Sequence, residues 1–292
     1  MARPSVSRKV FVGTNTVFLV FLCAVTLYPL LYILFSSLSE PESLLMYTGV
    51  LYKPLGFSLE SYRRAFSYPL LFSGYMNTLF VLAVGLAVNL TLTAFGAFFL
   101  TRGNVMWQRP IALVIVFTMF FNGGLIPFYF TVKDLGLYNS IWSLIFPTAI
   151  NTFNLIIMRT GFAAVPRSLE ESAEIDGASH LTMMFKIIMP LSLPTVSIMI
   201  LYYGVAHWNA WFNASIFLRD SYKWPLQLVA RQVLLQNDTS RMAAGAVQGS
   251  ELAISETIKY SVIVISTLPI LVIYPFLQRY FVKGVMVGAI KA

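Results

Sequence analysis

Six stretches of this chain contain no Asp, Glu, Lys or Arg: Val10 to Ser39, Ala65 to Thr101, Pro110 to Val132, Leu135 to Met158, Ile187 to Leu218 and Tyr260 to Gln278. Each is about as long as, or longer than, the roughly 20 residues a helix needs to cross the hydrocarbon core of a bilayer. Backbone polar groups in lipid must be satisfied within the segment, so the economical fold is six spanning helices. The expected fold class is therefore all-α integral membrane. A composition that is 58% hydrophobic and only 11% charged excludes an ordinary soluble domain. The expected spans are approximately 11–37, 72–100, 110–132, 138–158, 190–213 and 260–281.

The placement of basic residues sets the expected orientation. With six spans both termini share a side, and that side carries Arg3, Arg8, Lys9, Arg102, Arg109, Arg159, Arg167, Lys186, Arg279, Lys283 and Lys291. Only Glu170, Glu171, Glu174 and Asp176 oppose them there, whereas cations on the other side are nearly matched by acids. Positive charge stays in the cytoplasm, so both termini are expected inside. The net charge of +8 is then mostly topology and points to no nucleic-acid partner.

Arg3, Arg8 and Lys9 ahead of an apolar run resemble a secretory leader. The run is too long for one and lacks a small-residue cleavage site, so it reads as a retained first span. Cys23 is the only cysteine, which removes disulfides and thiolate metal sites from consideration. The sequons at Asn89, Asn213 and Asn237 read as coincidental, since Asn89 lies within a span.

The loop 159–189 is the polar exception. Arg167-Ser168-Leu169-Glu170-Glu171-Ser172-Ala173-Glu174-Ile175-Asp176-Gly177-Ala178 concentrates four of the twelve acidic residues. Pro166 ends what precedes it, and Ser168 with Glu171 three residues on makes a capping box. The pattern predicts a short helix through Glu170 to Ile175, with acids in the first turn where the macrodipole favours them. Gly177 is placed to end it in a left-handed conformation. A second short helix is expected from near Ala178 through Phe185, with Pro190 at the entry to the fifth span. One reading is a solvated amphipathic loop; the other is a shaped docking surface for another protein.

No catalytic chemistry is legible. There is no Gly-rich phosphate loop with its Lys-Ser/Thr, and His180 and His207 are the only histidines. A proton- or sodium-coupled transporter is expected to carry intramembrane carboxylates, and the spans contain none.

Glu171-Ser172-Ala173, then Gly177, then Ile187-Ile188-Met189-Pro190 reproduces the spacing of the signature loop in permease subunits of binding-protein-dependent ABC importers. The chain departs from that signature at Ser172 and Met189. Gly123-Gly124-Leu125-Ile126-Pro127, Leu135-Gly136-Leu137-Tyr138-Asn139-Ser140 and Lys283-Gly284-Val285-Met286-Val287-Gly288-Ala289 resemble its maltose-type carbohydrate branch. The resemblance runs from about Phe57 to the C-terminus.

The resemblance implies a type I importer permease in a bacterial cytoplasmic membrane. It would pair with a second permease, usually a different chain, and work with two ATP-binding subunits and an extracytoplasmic sugar-binding protein. No cofactor would be bound by this chain, ATP and Mg belonging to the partner ATPase. The acidic loop would be the coupling helix, with Glu170, Glu171, Ala173, Asp176, Gly177 and Ala178 at the contact. A peptide or amino-acid permease, a channel, or a structural membrane subunit are the alternatives.

Substrate contacts are open. Read as one helix, Trp208 and Trp211 share a face, as do Asn209 and Asn213; they suit sugar rings, or equally an interfacial aromatic belt. Asn122, Asn151 and Asn154 line the path or bond neighbouring helices. No residue specifies the sugar, alginate-type oligouronides being one option. The long outer loop from Arg219 to Lys259 is expected to be functional rather than a connector. The resemblance makes Gly245 to Ser250 its tip, with Gln248, Gly249 and Ser250 reaching the binding protein. The alternative is a stretch that packs over helix ends.

Overall fold

The computed structural model describes residues 5–102, 106–242, 257–273 and 275. Among them all regular structure is helical. In chain order the helices are α1 (Val6–Ser37), α2 (Pro41–Met46), α3 (Glu60–Phe66), α4 (Pro69–Thr101), α5 (Gln108–Phe120), α6 (Leu125–Asp134) and α7 (Thr152–Ala163). Then come α8 (Arg167–Ile175), α9 (His180–Met183), a π-helical turn (Met184–Ile188), α10 (Met189–Leu191), α11 (Leu193–Trp208), α12 (Phe212–Phe217), α13 (Leu226–Met242) and α14 (Thr257–Ile273).

The chain divides into two compact units, Met1–Tyr68 with Gln232–Thr267, and Pro69–Arg231 with Leu268–Ala292. In the first, α1 exposes apolar side chains along most of its length. The chain beyond it is tied back by serines. Ser39 Oγ donates to Phe35 O at 2.7 Å and accepts from the Leu55 N–H at 3.0 Å, while Ser61 Oγ donates to Ser37 O at 2.9 Å. Ahead of α3, whose N-cap residue is Leu59, Ser58 Oγ accepts from the Glu60 N–H at 3.2 Å.

The second unit is built around α4, which packs on α7 and α11. Without a hydrophobic force between helices in lipid, close backbone approach and hydrogen bonds must hold such a bundle. Small residues supply the approach: Ala94 and Ala97 are buried in the core with Leu155, Met158 and Met199. Hydrogen bonds supply the rest. Thr78 Oγ1 accepts from the Leu226 N–H at 2.8 Å, and Asn77 donates to the Tyr222 carbonyl at 2.7 Å.

Among the described residues, only α1 and α4 are single helices long and apolar enough to cross a membrane. The expected continuous span 110–132 is instead α5 and α6, with the chain bent by 117° between them. Gly124 sits at φ +85° there, and Asn122 Oδ1 accepts its N–H at 3.0 Å, a local turn that competes with the helix. The expected span 138–158 begins with 3₁₀ turns (Ile141–Leu144 and Phe146–Thr148) and becomes α-helical only at Thr152, after a 52° bend. The expected span 190–213 is bent by 87° at Ser192, between Pro190 and Pro194, and α11 stops at Trp208. The last expected span, 260–281, is described only as far as Ile273 and at residue 275.

Candidate functional site

The acidic loop folds as two short helices joined at Gly177, and the joint is the best-defined part. α8 ends in a Schellman motif: the Gly177 N–H donates to Glu174 O at 3.0 Å and the Ala178 N–H to Ala173 O at 2.9 Å. Gly177 takes φ +77°, the left-handed conformation expected of it. The start of α8 differs from expectation. Pro166, not Ser168, is the N-cap residue, and no side chain caps there. Ser168 lies inside the first turn, where its carbonyl accepts from Ser172 Oγ at 2.8 Å. The fixed φ of proline begins the helix one residue after it, so the capping box is never needed. α9 starts slightly later than predicted, at His180, where Ser179 Oγ accepts from the Thr182 N–H at 3.2 Å.

The acids do not all face one way. Glu171 and Asp176 are exposed, Ala173 is buried and Ala178 half-buried. Ile175 stands 86% exposed beside them, an apolar side chain with little cover from the described residues. Glu170, placed at the coupling contact by the resemblance, points inward. Its Oε2 lies 2.9 Å from Arg102 Nη1, and both side chains are only 17% exposed. Glu174 Oε1 lies 3.7 Å from the same nitrogen. Arg102 follows the last residue of α4, and its guanidinium stacks on the Phe98 ring at 4.1 Å and donates to Met183 Sδ at 2.8 Å. Arg102, Phe98, Glu170 and Glu174 line an open cleft of about 600 Å³ between the end of α4 and the acidic loop. That end is itself capped, since Leu100 O accepts from Arg159 Nε at 3.1 Å and Gln108 Nε2 at 2.6 Å.

Deeper in the same unit lies a polar lock. Asn89, fully buried on α4, donates through Nδ2 to the Thr148 and Ala149 carbonyls at 2.9 and 2.8 Å. These carbonyls belong to the bend before α7, so Asn89 satisfies backbone groups that the broken helix leaves free. With both amide hydrogens spent, Asn89 Oδ1 accepts from His207 Nε2 at 2.6 Å, which fixes the histidine tautomer. Tyr203 Oη pairs with Thr93 Oγ1 at 2.8 Å and accepts from the Asn151 N–H at 3.1 Å.

The proposed path residues scatter. Asn122 serves the turn before Gly124, and Asn151 caps α7, its Oδ1 accepting from the Asn154 N–H at 3.1 Å. Asn154 and Trp208 are buried, Trp208 edge-to-face with Tyr75 at 6.1 Å. The two faces expected of one helix, Trp208 with Trp211 and Asn209 with Asn213, do not form, because the helix is interrupted between them. Asn209 instead donates to Val205 O at 2.9 Å as α11 ends, and Asn213 belongs to α12. Trp211 lies beneath the Arg231 guanidinium, 3.7 Å from its ring centroid. Gln248, Gly249 and Ser250 lie outside the described residues.

Arg102, Asn89 and Tyr203 escaped the sequence reading as site residues. Arg102 counted there only as a topological charge and Asn89 only as a coincidental sequon. The available signal was a polar side chain inside, or at the edge of, a charge-free run.

Residues 54–287 match the family described as the inner membrane component of binding-protein-dependent transport systems. The chain is 39% identical over 279 residues to a polygalacturonan/rhamnogalacturonan transport system permease protein of Bacillus subtilis, covering 94% of this chain and 96% of that one. It is 27% identical over 296 residues to a trehalose/maltose transport system permease protein of Thermococcus litoralis, covering 99% of each. Among solved structures it superposes with a TM-score of 0.87 and 30% identity on a bacterial ABC transporter involved in the import of the acidic polysaccharide alginate. That match covers 96% of this chain and 100% of the other.

Proposed function

The chain belongs to the family of binding-protein-dependent transport system inner membrane components, and from that premise we propose that it forms half of the translocation path of an ATP-driven importer of acidic oligosaccharides. The observation that carries the reading is the geometry of α8. A rigid, Schellman-closed helix presents Glu171, Asp176 and the uncovered Ile175 on one short segment. An acidic helix meeting basic groups makes charge-assisted hydrogen bonds, and the apolar side chain at its C-terminal end supplies the buried anchor. The partner for this surface is an ATP-binding subunit, two of which would hold ATP and Mg²⁺ and supply all the hydrolysis.

A second permease of similar fold completes the path, and an extracytoplasmic binding protein delivers the sugar. The bare apolar faces of α1 and α5 suit lipid and that second permease, since α5 buries none of its residues within this chain. The substrate class rests on similarity to the polygalacturonan/rhamnogalacturonan permease and to the alginate importer. Arg231 on Trp211 offers the matching chemistry, a cation held over an aromatic ring with no carboxylate partner found among the described residues.

The test is reconstitution of the full complex in proteoliposomes with its binding protein. Oligogalacturonides or alginate oligosaccharides are expected to stimulate ATP hydrolysis and accumulate inside, with maltodextrins inert. Stimulation by maltodextrins alone would sink the acidic-substrate assignment, and ATP-independent uptake would sink the importer assignment.

A further inference from the structure

We propose that Arg102 is a positioning residue that ties both helices of the coupling loop to the end of α4, so that the loop moves α4 and not merely itself. The inference rests on the coupling reading above and adds to it the route by which motion leaves the loop.

The guanidinium reaches both helices at once. Nη1 binds Glu170 of α8 at 2.9 Å, with Glu174 at 3.7 Å, and Nη2 binds Met183 Sδ of α9 at 2.8 Å. Its plane is held by Phe98 one turn earlier on α4. A planar, forked cation can bridge two helices in this way where a lysine ammonium, a point charge on a flexible stem, cannot. Aromatic contacts run alongside it: Phe95 meets Phe185 at 6.0 Å and Phe98 meets His180 at 6.5 Å, both edge-on. Arg102 Nε, by contrast, is buried with no hydrogen-bond partner among the described residues.

What α4 carries at its other contacts gives the tie its consequence. From Arg102 back to Asn89 the helix is continuous, roughly 20 Å at 1.5 Å per residue. Asn89 grips the bend before α7 and His207 of α11. A displacement of α8 is therefore delivered to two bent spans through one rigid rod.

The experiment uses the assembled transporter in proteoliposomes, reading ATP hydrolysis and sugar uptake together. Arg102→Glu places a third acid beside Glu170 and Glu174. It is expected to keep ATPase activity while transport per ATP falls about tenfold, within the usual range of coupling free energies. Combining it with Glu170→Arg restores the pair in reverse and is expected to recover most of that ratio. Arg102→Met, which keeps the packing on Phe98 without the charge, covers the case in which the reversed charge prevents assembly. It is expected to assemble and lose several-fold in the same ratio. Unchanged transport per ATP in Arg102→Met, or no recovery in the reversed pair, would overturn the proposal. Wild-type complex that transports with ATP while these variants behave normally separates this failure from failure of the importer reading.

Discussion

Asn89 Oδ1 and His207 Nε2 lie 2.6 Å apart in the interior of the second unit, and the contact exists only because Gly85 stands beside it. A Cβ added at Gly85 would sit 2.6 Å from the same nitrogen. One turn of α4 therefore supplies both the hydrogen-bond partner of the histidine and the space for its ring.

Gly85→Ala should accordingly cost stability. The ring must move, and hydrogen bonds between membrane helices contribute about 0.6 kcal/mol each, up to about 1.7. Asn89→Leu should cost more, since it also strips the Thr148 and Ala149 carbonyls of their donor. Thermal unfolding in detergent should show a midpoint lowered by a few degrees for each, in that order. Gly13→Ala on α1, where nothing lies within 4 Å, is the control and should leave the midpoint level or slightly higher. Equal behaviour of Gly13→Ala and Gly85→Ala would remove the close-approach argument.

Gly177→Val forces a β-branched residue into φ +77°, at a strain of roughly 1–2 kcal/mol for the left-handed region. There is open space around Gly177 among the described residues, so insertion and assembly should survive. The Schellman end should open and ATP hydrolysis should uncouple from uptake. Normal transport by an assembled Gly177→Val complex would show that the loop is not the coupling element.

Transport should require ATP and ignore collapse of the proton gradient. His207 is already committed to Asn89, so His207→Gln should change the rate but not the energy source. Uptake driven by a pH gradient without nucleotide would contradict the assignment.

Deleting residues 247–250, in the stretch outside the described structure, should impair stimulation by loaded binding protein more than basal ATPase activity. Crosslinks from that stretch are expected in the binding protein's sugar cleft. Crosslinks confined to the permease's own helices would refute the role.

Features that depend on neighbouring residues were legible in the sequence. The long apolar runs announced membrane helices because lipid penalises every unsatisfied backbone group regardless of tertiary context. Gly177 announced a left-handed helix end because only the backbone at that position decides it. Periodicity failed where it assumed an unbroken helix: Trp208 and Trp211 share a face only if nothing interrupts them, and α11 stops at Trp208. The partners of Arg102 and Asn89 were not legible at all. Glu170, Met183, Thr148 and His207 lie far from them in the chain, and a polar side chain carries no record of which distant group will satisfy it. That choice is made by the packing of α4 against α7, α8 and α11. Desolvation then makes each buried donor and acceptor find the nearest partner the bundle provides.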